Sequence, residues 1–133
     1  MRGIDTNILV RFLIGDDPRQ ARLARALIAD AGRTGGIFVD VVVLIETAWV
    51  LENTYDLPRE EVLGTFEGLL TTVDMVFQHA DVIASAIGAA RESGVELADC
   101  VIAELNRREG CETTLTVDRK ASRLAAMRLL ADR

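Results

Sequence analysis

The chain has 133 residues, half of them hydrophobic, with 21 acidic side chains against 15 basic ones and a formal net charge of −6. That length and apolar share suit a single compact domain, 1–133, with a sizeable core. No apolar stretch reaches the roughly 20 residues of a membrane span, because Asp40, Glu46 and Thr47 interrupt the longest candidate. The early acid and amide, Asp5 and Asn7, also break the apolar run that a secretory signal needs, so a cytoplasmic protein with no membrane partner is expected.

Cys100 and Cys111 stand at no metal-binding spacing and read as buried free thiols, while the only histidine, His79, falls at a predicted helix start. A catalytic centre built on Ser-His or Cys-His has little material here. The acidic balance seems at first to disfavour a nucleic-acid partner. Location outweighs the sum, since divalent cations would balance acids gathered at one site. Lys120 is the only lysine among the basic residues, and arginines suit bidentate contacts to phosphate.

In chain order, Ile4-Asp5 reads as the end of a short strand, Thr6 as a helix N-cap, and Ile8, Leu9 and Phe12 as an apolar helix stripe. Gly15-Asp16-Asp17-Pro18 ends that helix, and Leu23, Ala24, Leu27, Ile28 and Ala31 recur at helical spacing up to Gly32. Gly35-Gly36 introduces the strand Ile37-Phe38-Val39, followed by a long helix from Val41 to about Tyr55. Pro58, Glu60 and Glu61 open another helix with Val62, Phe66, Leu69 and Leu70 inward, and Thr72–Phe77 is β-prone. Helices follow over Ala80–Ser93, ended by Gly94, and over Leu97–Arg108, with Val101, Ile102 and Leu105 inward. A strand over Thr113–Val117, a short helix capped by Asp118, and a last edge strand over Met127–Leu130 complete the series. Alternating strands and helices imply right-handed parallel crossovers, hence an α/β fold: a three-layer α/β/α sandwich on a central parallel sheet.

Four acids stand out within this plan. Asp5 and Asp118 both follow a predicted strand, at the carboxyl end where open α/β sheets bind ligands, and would converge if their strands are neighbours about 4.8 Å apart. Glu46 has Val42, Val43, Trp49 and Val50 as its helical neighbours, an apolar setting in which a carboxylate is either buried against a base, a proton or a metal, or set at a partly exposed helix edge. Asp99 opens a helix whose Ile102 and Ala103 are expected inward. Clustered carboxylates without histidine or cysteine select a hard cation, Mg²⁺ or Mn²⁺. Such an ion activates water and steadies the leaving oxygen of a phosphodiester. Thr6, Asn7 and Thr116 flank the acids and are candidate supporting residues. Arg11, Arg107, Arg108, Arg119, Lys120 and Arg123 lie near them in sequence and are candidates for phosphate contacts, which the resemblance named below makes candidates for RNA binding.

The motifs Asp5-Thr6-Asn7, Ile45-Glu46, Leu97-Ala98-Asp99 and Thr116-Val117-Asp118-Arg119-Lys120, in this order and spacing, resemble those of PIN-domain ribonucleases, specifically VapC-type toxins of bacterial toxin-antitoxin pairs. The resemblance runs nearly end to end and departs mildly at Val117, where the family often has an aromatic residue. It implies a PIN-like fold and an Mg²⁺-dependent endoribonuclease acting on structured RNA such as tRNA or rRNA. Its metal quartet would be Asp5, Glu46, Asp99 and Asp118. The implied partners are a second copy in a homodimer and a VapB-type antitoxin in a hetero-oligomer.

The alternative is a catalytically silent module of the same fold that acts through protein or RNA contacts, against which the four intact acids count. A response-regulator receiver would need an acidic pair after its first strand. A haloacid-dehalogenase phosphatase would need an acid where Asn7 stands.

Overall fold

The computed structural model describes residues 1–130; the end of the expected 1–133 domain therefore lies outside the described residues. Two compact units divide the chain, Met1–Ala80 and Asp81–Arg133. Six α-helices and parallel strand pairs among the described residues make the chain α/β, the make-up of the three-layer α/β/α fold that the alternation implied.

The first unit contains β1 (Arg2–Gly3), α1 (Thr6–Leu13), α2 (Pro18–Ala29), β2 (Ile37–Val39), α3 (Val41–Asn53), α4 (Arg59–Leu70) and β3 (Met75–Phe77). Its sheet has the order β1-β2-β3, parallel throughout, with Arg2 opposite Ile37 and Ile37 opposite Met75. β2 is therefore the middle strand, and its Ile37 and Val39 are fully buried. Gly35 and Gly36 lead into it at φ of +86° and +98°; a Cβ on Gly35 would stand 2.8 Å from the Met1 backbone nitrogen, so the approach needs glycine twice over. The core of this unit is built from Leu9, Leu44, Leu51, Val62, Leu63 and Phe66, all essentially inaccessible to solvent.

The second unit contains α5 (Ala80–Ser93), whose first residue closes the preceding unit, α6 (Leu97–Arg108), β4 (Thr114–Thr116) and β5 (Met127–Leu129). β4 and β5 form a separate parallel pair, with Thr114 opposite Met127. Val82, Ile83, Ile87, Val95 and Val101 bury their side chains here, and Gly94 ends α5 at φ +75°.

Several local expectations change. The N-cap of α1 is Asp5, not Thr6: the Asp5 carboxylate reaches three residues on and accepts the Ile8 N–H at 3.0 Å, leaving Thr6 as the first helical residue. Pro58 is itself the N-cap of α4. Asp118 does not start an α-helix; its Oδ1 accepts the N–H groups of Lys120 and Ala121, closing a turn that passes into one 3₁₀ turn over Ala121–Arg123. Leu23 and Ile102 face outward, at 61% and 46% exposure, because Ala21 and Ala24 carry the buried side of α2, and Cys100, Val101 and Ala103 that of α6. Cys100 is a buried free thiol as expected, whereas Cys111 is exposed. His79 is exposed and left-handed at φ +51°, just before α5.

Candidate metal-binding and nuclease site

Asp5 follows the β1 ladder, which the Ile4 N–H extends by donating to the Phe38 carbonyl. Its backbone is still extended, at φ −93° and ψ 176°, and the turn into α1 leaves the carboxylate exposed at the helix N-terminus. One oxygen caps the helix, and the other remains for a ligand. Thr6 comes next, and its hydroxyl donates to Oε1 of Glu46 at 2.8 Å. That bond joins the start of α1 to the middle of α3, so Glu46 stands beside the residue that follows Asp5.

Glu46 is exposed, so of its two expected settings the helix edge is the one it occupies and the burial is not. The helical period turns Val43, Leu44, Thr47, Ala48 and Leu51 inward, and leaves Val42 at 66% and Trp49 at 61% exposure on the outer side with Glu46. Desolvation therefore does not explain this acid; the Thr6 hydroxyl does. Asn7 is exposed and lines, with Asp5, Ile8, Arg11, Gln20, Leu23, Ala24 and Leu27, a cavity of about 370 Å³.

In the second unit, Asp99 lies in the first turn of α6 and is half-buried. Burial pushes its carboxyl above the ordinary 3.8, and the negative charges of Asp118 and Glu96 push the same way. Asp118 is held by the turn described above, and its N–H donates to the Thr116 hydroxyl at 3.0 Å. Thr116 thus positions the loop that carries the acid. Glu96, to which nothing in the sequence drew attention, joins this acidic group, and Lys120 reaches it at 3.8 Å.

The expected strand adjacency of Asp5 and Asp118 is not met in the hydrogen-bonded ladders. β1 pairs with β2, and β4 with β5. Among the described residues no three His, Cys, Asp or Glu side chains stand together as a metal cage. The structure instead groups Asp5 with Glu46 through Thr6, and Asp99 with Asp118 through their mutual repulsion. Each pair taken by itself offers carboxylate oxygen with a threonine hydroxyl beside it, the donor chemistry of a hard divalent cation.

The basic candidates fall into two groups. Arg11 bonds Gln20, Asp16 and Tyr55; Arg107 makes a two-bond contact with Glu104; Arg108 pairs with Asp81 and Glu104. These partners raise the three guanidinium pKa values, Tyr55 first and then Asp16 for Arg11, Glu104 for Arg107, and Asp81 with Glu104 for Arg108. Arg119, Lys120 and Arg123 are exposed around the Asp118 turn, Lys120 beside Glu96.

A family model described as the PIN domain matches residues 4–127, a stretch that includes all four candidate acids and parts of both units. A search of the curated proteins returned no match.

Proposed function

Because the chain belongs to the PIN domain family, we propose that it is an Mg²⁺-dependent endoribonuclease of the VapC toxin type, acting on structured RNA such as tRNA or rRNA and silenced by a VapB-type antitoxin. PIN domains are generally metal-dependent nucleases, and the fold is of the nuclease type. In this reading Asp5, Glu46, Asp99 and Asp118 hold the metal, which when bound supplies an activated water and neutralises charge on the phosphodiester. Mn²⁺ is the expected substitute.

The chain's own residues have defined parts in this reading. Asp5 offers its uncapped oxygen, and Thr6 fixes the rotamer of Glu46 through their hydrogen bond. Asp118 is held by backbone N–H groups in its turn, and Thr116 holds that turn's amide. Arg119, Lys120 and Arg123 are the exposed cations available for RNA phosphates beside Asp118.

The observation that carries the metal reading is the placing of two exposed carboxylates, Asp5 and Glu46, on either side of the Thr6 hydroxyl where the chain leaves β1; the raised Asp99 carboxyl, pushed up first by burial and then by Asp118 and Glu96, supports it. For the antitoxin and for a homodimer, the support is the exposed Val42 and Trp49 flanking Glu46, a surface suited to an apolar anchor followed by a basic side chain that meets the acids. No helix among the described residues is long and apolar enough to cross a membrane.

Purified protein incubated with total RNA, with and without Mg²⁺, followed by sequencing of new ends, tests the reading. Mg²⁺-dependent ends at defined positions are expected. RNA that is bound but left intact at every metal concentration would instead mark a silent module.

A further inference from the structure

Arg11 is held by three side chains of the first unit. Its Nε donates to Gln20 Oε1 at 2.8 Å, and its Nη1 donates to Asp16 Oδ1 at 2.8 Å and to the Tyr55 hydroxyl at 3.4 Å. The Tyr55 hydroxyl in turn donates to Asp16 Oδ2 at 2.8 Å, which closes a ring of three side chains. The guanidinium thereby ties the last turn of α1 to the following loop, to α2 and to the chain just beyond α3.

α1 has only eight residues, too few to hold its place by helix formation alone. Two polar pins fasten it to the α3 segment. One is Thr6 on Glu46, at the N-terminal end; the other is Arg11 with Tyr55, at the C-terminal end. With the second pin removed, the C-terminal end of α1 is held only by its buried Leu9 and Val10 and can tilt about the first, which turns the Asp5 carboxylate at the helix start relative to Glu46. Gln20 and Arg11 also line the cavity that Asp5 lines, so their bond is part of its wall.

We propose that Arg11 is a positioning residue rather than an RNA contact: with Asp16, Gln20 and Tyr55 it clamps α1, and so fixes the presentation of Asp5 and Glu46 to the metal. This inference rests on the metal-dependent nuclease reading above. Lysine cannot replace it, because a single ammonium lacks the planar fork that serves Gln20 and the Asp16-Tyr55 pair together.

The test compares wild type, Arg11→Lys and Tyr55→Phe in the full chain. Three quantities are measured: Mn²⁺ affinity without RNA, backbone amide exchange in α1, and cleavage at varied Mg²⁺ and RNA. Both variants are expected to weaken Mn²⁺ binding and raise the half-activating Mg²⁺ concentration about tenfold, the low end of what groups that orient metal ligands supply. They should also speed exchange of the Ile8 amide, while the KM for RNA at saturating Mg²⁺ and the salt slope stay at wild-type values. A higher KM and a shallower salt slope in Arg11→Lys, with metal affinity unchanged, would overturn the inference in favour of RNA contact. So would a Tyr55→Phe variant whose metal affinity equals that of wild type. If wild type itself neither binds Mn²⁺ nor cleaves RNA, the nuclease reading fails first and takes the clamp's purpose with it.

Discussion

On the proposed metal reading, Asp99 couples stability and metal binding in opposite senses. Its folded carboxyl lies above the ordinary 3.8 because of burial and the charges of Asp118 and Glu96. Its ionised form is therefore less favourable in the fold than in the unfolded chain. The stability it contributes is present below pH 3.8 and is lost as pH rises through its raised folded value. Asp99→Asn should accordingly raise the metal-free melting temperature at pH 7, with the gain shrinking as pH is lowered toward 3.8, while metal affinity falls. Asp16, Asp81 and Glu104 have the reverse sign: hydrogen bonds from Tyr55, Arg108 and Arg107 lower their carboxyls, so their contribution holds at neutral pH and disappears in acid. Melting curves across pH for wild type and Asp99→Asn check both senses. Thr47 is a separate case at this scale. It is fully buried on α3, with no hydrogen-bond partner for its hydroxyl among the described residues. Thr47→Val should stabilise the protein by about 1 kcal/mol, the lower end of the cost of a buried unsatisfied group, and a lower denaturation midpoint would contradict this.

At the scale of elements, Asp5 does two jobs that substitution can separate. Asparagine still caps a helix, so Asp5→Asn should leave thermal stability within about 0.5 kcal/mol of wild type, whereas Asp5→Ala should cost about 1 kcal/mol as the Ile8 amide loses its acceptor. Both should lose metal-dependent activity. Equal stability losses in the two variants, read from denaturant melts, would count against the capping role. Elements whose signals are local were legible in the sequence. Ile37-Phe38-Val39, introduced by two glycines, is β2 to the residue, and the helices Ala80–Ser93 and Leu97–Arg108 have the expected bounds. Where two neighbours compete for one role, the local signal misleads: Asp5 and Thr6 are both good caps, and the choice follows from which oxygen reaches the third amide. Glu46 was singled out for the wrong physical reason, because the apolar residues beside it lie on both sides of α3 and only Val43 of its near neighbours is buried. The ring of Arg11, Asp16 and Tyr55 was not legible, since it spans 44 positions and depends on how α1 and α3 meet.

For the whole molecule, an acidic chain of the PIN domain family carries its four candidate acids in two compact units, one pair in each. In the proposed function the acids serve one reaction, and the structure accounts for how each pair is held: Asp5 and Glu46 by a cap and a hydroxyl, Asp99 and Asp118 by a helix start and a turn. The central claim is that both pairs serve one metal-dependent cleavage. The most direct measurement is the cleavage rate on a fixed RNA for wild type, Asp5→Asn, Glu46→Gln, Asp99→Asn and Asp118→Asn, each titrated with Mg²⁺. The account predicts cleavage by wild type only with Mg²⁺, and in every variant a loss of at least about 100-fold, beyond what removing a group that merely orients a ligand costs. Cleavage by wild type in the absence of divalent metal, or wild-type rates in a variant from either pair, would contradict it.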